Sequence, residues 1–232
     1  MNPISRILTS IKLRLNSKKF ANGDYLEAYA RNTDLVASID PKMAIGGIWD
    51  EMGKHQFAFL VKHGLKPHHK LLDIGCGSLR GGLFFIDYLD QGSYTGFDLS
   101  SEVIKAGELS VAERRLDGKK PKLLVNHERN LKFDFLDGER FDFLLAQSVF
   151  SHLKPEHIEE CFDNLYKVMN PGARFFFTHH PGTEFRQRSK TDFEYPKSFF
   201  IDAAAERALK VSDFSEEYNH PRGQNMLMLE SS

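Results

Sequence analysis

The chain has 232 residues, with 31 basic against 32 acidic side chains, a formal charge of −1 and 41% hydrophobic residues. That length suits one domain with an appendage and buries a core without staples. Two cysteines, Cys76 and Cys161, argue against a disulfide framework and for a reducing cytoplasm, and near-neutral charge argues against a surface built wholly for nucleic acid.

The charge is unevenly spread. Residues 1–20 contain Arg6, Lys12, Arg14, Lys18 and Lys19 and no acid, so this segment carries +5 and the remainder −6. Ile4, Ile7, Leu8, Ile11 and Leu15 recur at three- and four-residue steps and make one apolar helical face. Two readings follow: a helix lying on an anionic membrane surface, or a terminal helix docked on its own domain or a partner subunit. No small-residue cleavage site follows a long apolar stretch, which argues against a secretory signal. No apolar run approaches the roughly 18 residues that span a bilayer.

Residues 24–40 read as helix, followed by a glycine hinge at Gly46-Gly47 before Trp49. Residues 50–63 read as a second helix, ended by Gly64 and Pro67. From residue 70 strands and helices alternate. Lys70–Ile74, Tyr94–Phe97, Lys122–Val125, Phe141–Ala146 and Arg174–Thr178 read as strands, with helices over 79–89, 100–115, from Pro155 to Asn170, and over 197–209. Two closing strands fall at 209–214 and 225–229, joined by a loop at 218–223. The chain divides into a basic helix (1–22), a helical lid segment (23–66) and a sheet domain (67–232). Such alternation implies a parallel sheet covered on both faces, with ligands bound beyond the carboxyl ends of its strands.

The first strand runs into Asp73-Ile74-Gly75-Cys76-Gly77-Ser78-Leu79-Arg80-Gly81-Gly82. A dinucleotide fingerprint wants glycine where Arg80 stands. Asp73, two residues before the first glycine, repels a phosphate and suits a cationic ammonium or sulfonium centre. Asp98 ends the second strand 21 residues past Gly77, the spacing of an acid that accepts hydrogen bonds from ribose hydroxyls.

In these stretches, and in Phe141-Asp142-Phe143-Leu144-Leu145 and Asn170-Pro171-Gly172-Ala173, the sequence resembles the class I S-adenosylmethionine-dependent methyltransferases over about residues 65–180. Gly46-Gly47, Trp49, Gln56, Gly77–Gly82 and Ser148-Val149-Phe150-Ser151-His152-Leu153 look like bacterial members acting on small molecules or associated with polysaccharides. The resemblance implies an α/β, Rossmann-like seven-stranded sheet, mostly parallel with one antiparallel strand, plus amino-terminal helices. It implies S-adenosyl-L-methionine as cofactor, with Gly75 and Gly77 against its methionine part, Asp73 at its ammonium, Asp98 on the ribose and Leu99 at the adenine. Asn126 and Asn130 are the candidates for completing the adenine pocket, and Gln147 follows the fourth strand into the same site. Arg80 is either a surface charge or a partner of the cofactor carboxylate. Trp49 and Gln56 are either a lid over the cofactor or ordinary packing.

Methyl transfer to a hydroxyl gains from a general base, and histidine suits neutral pH. His152 follows the fourth strand, His180 the fifth, and His220 sits between the last two, all at the expected active edge; His179 reads as a packed strand-end residue. No helical His-x-x-x-His pair or compact Cys/His set appears, so no metal is expected. The loop Pro181–Lys197 interleaves Arg186, Arg188 and Lys190 with Phe185, Phe193 and Tyr195. It is either a substrate lid or a solvated loop with anchoring aromatics. The expected acceptor is a small molecule or carbohydrate hydroxyl, with no nucleic-acid partner and a cytoplasmic location, peripheral membrane contact through residues 1–20 staying open as the alternative to a docked terminal helix. The rival functions are methylation of RNA or protein, and a non-catalytic cofactor-binding scaffold.

Overall fold

The computed structural model describes residues 25–44 and 49–231. The expected basic helix and the Gly46-Gly47 hinge lie outside these residues. Three helices come first: α1 (Tyr25–Ala37), α2 (Pro41–Ala44) and α3 (Trp49–Lys62). Next come β1 (Leu71–Ile74), α4 (Gly82–Tyr88), β2 (Tyr94–Asp98), α5 (Ser101–Glu113), β3 (Lys122–Val125), β4 (Phe141–Ala146) and α6 (Pro155–Val168). The chain closes with β5 (Met169–Pro181), β6 (Arg186–Gln187), β7 (Phe193–Tyr195), α7 (Lys197–Ala205), β8 (Leu209–Asp213), α8 (Ser215–Tyr218) and β9 (Asn225–Ser231).

The main sheet runs β3-β2-β1-β4-β5-β9-β8. Strands β1 to β5 are parallel, and β9 is antiparallel to both of its neighbours. This is the seven-stranded sheet with one antiparallel strand that the resemblance implied. A small hairpin of β6 and β7 is added to it. There β7 pairs with the last residues of β5, His180 opposite Glu194 and Pro181 opposite Tyr195.

Successive residues of a strand point to opposite faces, and here both faces are apolar, which is why the strands read as continuous hydrophobic runs. Leu72, Ile74, Leu144, Ala146, Phe175 and Phe177 join one core with Ile158, Phe162 and Leu165 of α6 and Phe200 of α7. Leu71, Phe143, Leu145 and Phe176 join the other with Phe59 and Leu60 of α3, Phe85 of α4 and Ile104 of α5. Pro155 opens α6 at a first-turn position, where its missing N–H costs no helical bond.

Several helices end two to four residues before the sequence reading, as where the helix read over 197–209 stops at Ala205, and two boundaries differ for a clear local reason. Helix α4 begins at Gly82 rather than residue 79, because Leu79 is left-handed (φ 69°) and turns the chain before the helix starts. Its side chain is fully buried, and a Cβ on Gly82 would lie 2.7 Å from Leu79 Cδ2. Strand β5 begins at Met169, pairing with Phe141, and its register against β4 shifts before Phe143 meets Arg174. The Asn170-Pro171-Gly172 turn lies within that irregularity, with Gly172 at φ 78°.

The amino-terminal helices are bolted to the carboxyl edge of the sheet, where they bear on the site. Ser100 caps α5, its Oγ accepting the Val103 N–H at 3.3 Å. The same hydroxyl donates to Asp34 of α1 at 2.5 Å, and Asp34 also accepts the Glu102 N–H at 3.2 Å. An acid is thereby placed at a helix amino terminus, where the backbone dipole favours it. Tyr25 donates to the His152 carbonyl at 2.7 Å, and Ser78 donates to the Pro41 carbonyl at 3.1 Å.

Candidate active site

The ends of β1, β2 and β4 open into a cavity of about 460 Å³. Its floor is the turn after β1. Gly75 and Gly77 both have positive φ, 66° and 55°, a region that glycine enters without steric cost. A Cβ on Gly75 would also lie 2.6 Å from Val149 Cγ2, so the turn and the chain after β4 touch at that point. The Cys76 N–H donates to the Phe97 carbonyl at 3.0 Å, which ties the turn to the end of β2.

Asp98 accepts the Gly77 N–H at 3.1 Å on one oxygen and the Ser100 N–H at 3.0 Å on the other. Burial pushes its carboxyl upward, against the pull of these backbone donors. Two carboxylate oxygens have about four acceptor sites, so these backbone donors leave capacity for a ligand hydroxyl. Asp73 is buried at 4% exposure and accepts the Tyr94 hydroxyl at 2.7 Å. Burial pushes it up to about 7, against the lowering effect of that hydrogen bond. A cation placed beside it restores the carboxylate.

The cavity lining includes most of the residues singled out in the sequence: Asp73, Gly75, Gly77, Asp98, Leu99, Asn126, Asn130, Gln147, Gln56 and Arg80. Gln56 reaches in from α3, with its amide oxygen packed close over Gly81. Arg80 is buried at 9% exposure rather than a surface charge, with Tyr218, Arg222 and Asp73 acting on it. Trp49 is not among the lining residues; it packs against the α3–α4 core, the ordinary-packing alternative. Asn126 braces its own loop, its Nδ2 donating to the Asn130 carbonyl at 2.7 Å and its Oδ1 accepting the Arg129 N–H at 3.1 Å. Gln147 sits in a buried polar knot, with Tyr218 donating to its Oε1 at 2.6 Å and its amide 3.0 Å from His220 Nε2.

The three histidines line the same cavity but differ in surroundings. His220 is pushed down to about 4, first by burial and then by Arg80, and its Nδ1 accepts the Arg222 N–H at 3.0 Å. Burial, with Arg188 behind it, lowers His180 as well. His152 Nδ1 lies 2.6 Å from the Thr191 carbonyl and 3.2 Å from Asp192 Oδ1, and Tyr29 covers its ring at 5.5 Å. His179 is fully buried and packs on Phe200 at 4.5 Å. Cys76 lines the turn as a buried thiol pushed well above its usual range, and buried thiols are inert.

Several lining residues escaped the sequence reading. Tyr29, Asn32, Thr33 and Val36 close the cavity from α1, and their i, i+3, i+4, i+7 spacing was the available signal. Asp192, which the sequence did not single out, lines the wall beside His152. The basic loop is less open than its composition suggested. Arg186 and Arg188 pair with Glu194 at 2.6 and 3.1 Å, and Phe193 and Tyr195 are buried.

Residues 72–175 match a family described as a methyltransferase domain. A curated relative, the uncharacterized protein RP028 of Rickettsia prowazekii (strain Madrid E), is 27% identical over 111 residues, 48% of this chain. That match spans 42% of the relative, less than half of its length. Among solved structures, magnesium protoporphyrin IX methyltransferase from Synechocystis PCC 6803 with bound SAH superposes with a TM-score of 0.66 at 15% identity, covering 90% of this chain and 100% of the other. A S-adenosylmethionine-dependent methyltransferase from Clostridium acetobutylicum gives 0.63 at 12% identity, covering 85% and 98%. The glycopeptide N-methyltransferase MtfA with SAM gives 0.62 at 11%, covering 80% and 96%. At such identities the likeness is one of fold, and it agrees with the strand order, the matched stretch and the Asp73–Gly77 and Asp98 geometry. Residues 72–175 thus carry a methyltransferase domain, in the fold of the S-adenosylmethionine-dependent methyltransferases.

Proposed function

We propose that this chain transfers the methyl group of S-adenosylmethionine to a hydroxyl of a small molecule or carbohydrate, with His152 as general base. The observation that carries this reading is that one cavity is lined by the Gly75–Gly77 turn, Asp73, Asp98 and His152. The donor set fits a nucleoside carrying a cationic amino-acid tail. Asp98 keeps acceptor capacity for ribose hydroxyls, the buried Asp73 gains its charge beside an ammonium, and the turn leaves no side chain in the way. Arg80 and Gln56 stand where they can hold the tail's carboxylate. Leu99 and the 126–130 loop bound the adenine end, with Asn126 serving as the brace of that loop. The chemistry supplied by the bound cofactor is a methyl carbon already activated by its sulfonium.

The protein's own tasks are then alignment, exclusion of water and removal of one proton. Helix α1 lines one side of the cavity, which supports a lid role for it. A base at neutral pH needs a free lone pair and real basicity. His220 has its Nδ1 lone pair used and is a weak base at about 4; His180 is displaced the same way. His152 keeps Nε2 for the acceptor hydroxyl. The crystallised neighbours include a porphyrin and a glycopeptide methyltransferase, which supports an acceptor of small-molecule or glycosylated type.

The test is a screen of extracts for transfer of labelled methyl from S-adenosylmethionine. An O-methylated product is expected. His152→Gln should leave cofactor affinity within twofold and slow transfer about 100-fold, the usual reach of a lost general base. Unchanged turnover in that variant removes His152 as the base, and an N-methylated product overturns the hydroxyl acceptor.

A further inference from the structure

The hairpin of β6 and β7 does something that its basic and aromatic composition did not suggest: it delivers a carboxylate to His152. Both neighbours of His152 Nδ1, the Thr191 carbonyl at 2.6 Å and Asp192 Oδ1 at 3.2 Å, are acceptors. The proton of the neutral ring therefore sits on Nδ1, and Nε2 carries the lone pair. The other oxygen of Asp192 accepts the Ser189 hydroxyl at 2.6 Å. The loop that presents it is closed on itself. Thr191 N–H donates to Ser189 Oγ at 3.2 Å, and Arg188 N–H donates to the Asp192 carbonyl at 2.8 Å.

Both sides of the contact are anchored. Tyr195 of β7 donates to the carbonyl of Leu153, the residue after His152, at 2.5 Å. Tyr25 of α1 donates to the carbonyl of His152 itself. The charged and titratable groups facing the pair are His180 from β5, and Tyr25 and Tyr29 from α1. The His152 hydrogen bond, ahead of that from Ser189, holds the Asp192 carboxyl well below the usual carboxylate range.

We propose that Asp192 is the positioning residue of His152, fixing the ring in its Nδ1–H form and compensating its charge once Nε2 has taken the hydroxyl proton. Asp192 keeps its carboxylate throughout; the proton stays on the ring until it leaves to solvent. The role rests on the reading of His152 as base. The hairpin thereby becomes part of the catalytic apparatus, and its placement sets the strength of the base.

Histidine 15N NMR on the full chain at pH 8, with His152→Gln for assignment, reads the tautomer directly. The Nδ1–H form is expected for His152, and in His152→Gln the Asp192 carboxyl should titrate upward toward the ordinary value of about 4. Ser189→Ala should move Asp192 the same way by less. With an extract fraction that accepts labelled methyl, Asp192→Asn should lose at least tenfold in rate while S-adenosylhomocysteine affinity stays within twofold; Asp192→Glu, which keeps the charge, should lose less. An Nε2–H tautomer, or an Asp192 titration unmoved by His152→Gln, overturns the positioning role even if His152→Gln is inactive. A fully active His152→Gln overturns the base reading, and the role of Asp192 with it.

Discussion

The proposed choice of a cationic ligand turns on one buried residue, Asp73. Its carboxyl is pushed up to about 7, first by burial, and the Tyr94 hydroxyl opposes the shift. A cationic ligand binds the ionised form, so binding expels a proton wherever the free protein holds one. Affinity for S-adenosylmethionine should therefore be flat just above pH 7 and weaken about tenfold per unit as the pH falls below it. Calorimetry between pH 5.5 and 7.5 in buffers of different ionisation heat checks both the slope and the released proton; a flat affinity across that range contradicts it. In the ligand-free protein the native state binds the extra proton, so this group's contribution to stability declines as pH rises from about 4 to 7. Tyr94→Phe removes the opposing donor and should weaken binding further at pH 7. The pocket acids were legible in the sequence because Asp73, Gly75, Gly77 and Asp98 sit at fixed offsets within short runs. Asp192 and Tyr29 were not, since each comes from a distant segment whose neighbours carry no comparable signature.

At the scale of elements, α1 acts as a strap with a latch at each side of the cavity. Asp34 and Ser100 join it to the start of α5, and Tyr25 joins it to the chain after β4. Asp34→Ala removes an acceptor from two donors at a helix start, a loss of roughly 1 kcal/mol. Its expected signature is a melting temperature lower by about 2–4 °C, together with faster release of S-adenosylhomocysteine in stopped flow. Faster release without any change in melting is excluded by this account. The strands were readable because both faces of the sheet are buried, which leaves short apolar runs such as Leu71-Leu72, Phe143–Ala146 and Phe175–Phe177. The hairpin was not readable as strands: β6 has two residues, Arg186 and Gln187, both exposed, and β7 has three, with Phe193 and Tyr195 buried, too short for a period to declare itself. The start of α4 was misplaced for a local reason, since Leu79 has ordinary helix propensity and only its packing against Gly82 and Gly107 holds it left-handed.

For the molecule as a whole, the two cores share one sheet, and phenylalanine is their common currency. Phe177 is fully buried and meets the rings of Phe150, Phe162, Phe175 and Phe200 at 4.7 to 5.9 Å. Phe177→Ala should cost about 3–5 kcal/mol of stability, read as a lower urea midpoint, and a loss under 1 kcal/mol contradicts the close packing inferred here. The formal charge of −1 conceals a mixed cavity lining: carboxylates at the turn after β1 and at the end of β2, with histidines and arginines around the same cavity. The central claim is that this cavity holds S-adenosylmethionine by Asp98 and the turn after β1. Isothermal titration of the folded full chain, beside Asp98→Ala, tests it most directly. One site per chain is expected, with affinity lowered at least 100-fold in the variant, as two lost charge-assisted hydrogen bonds imply. Absence of binding to the folded wild type, or equal affinity in the two proteins, contradicts it.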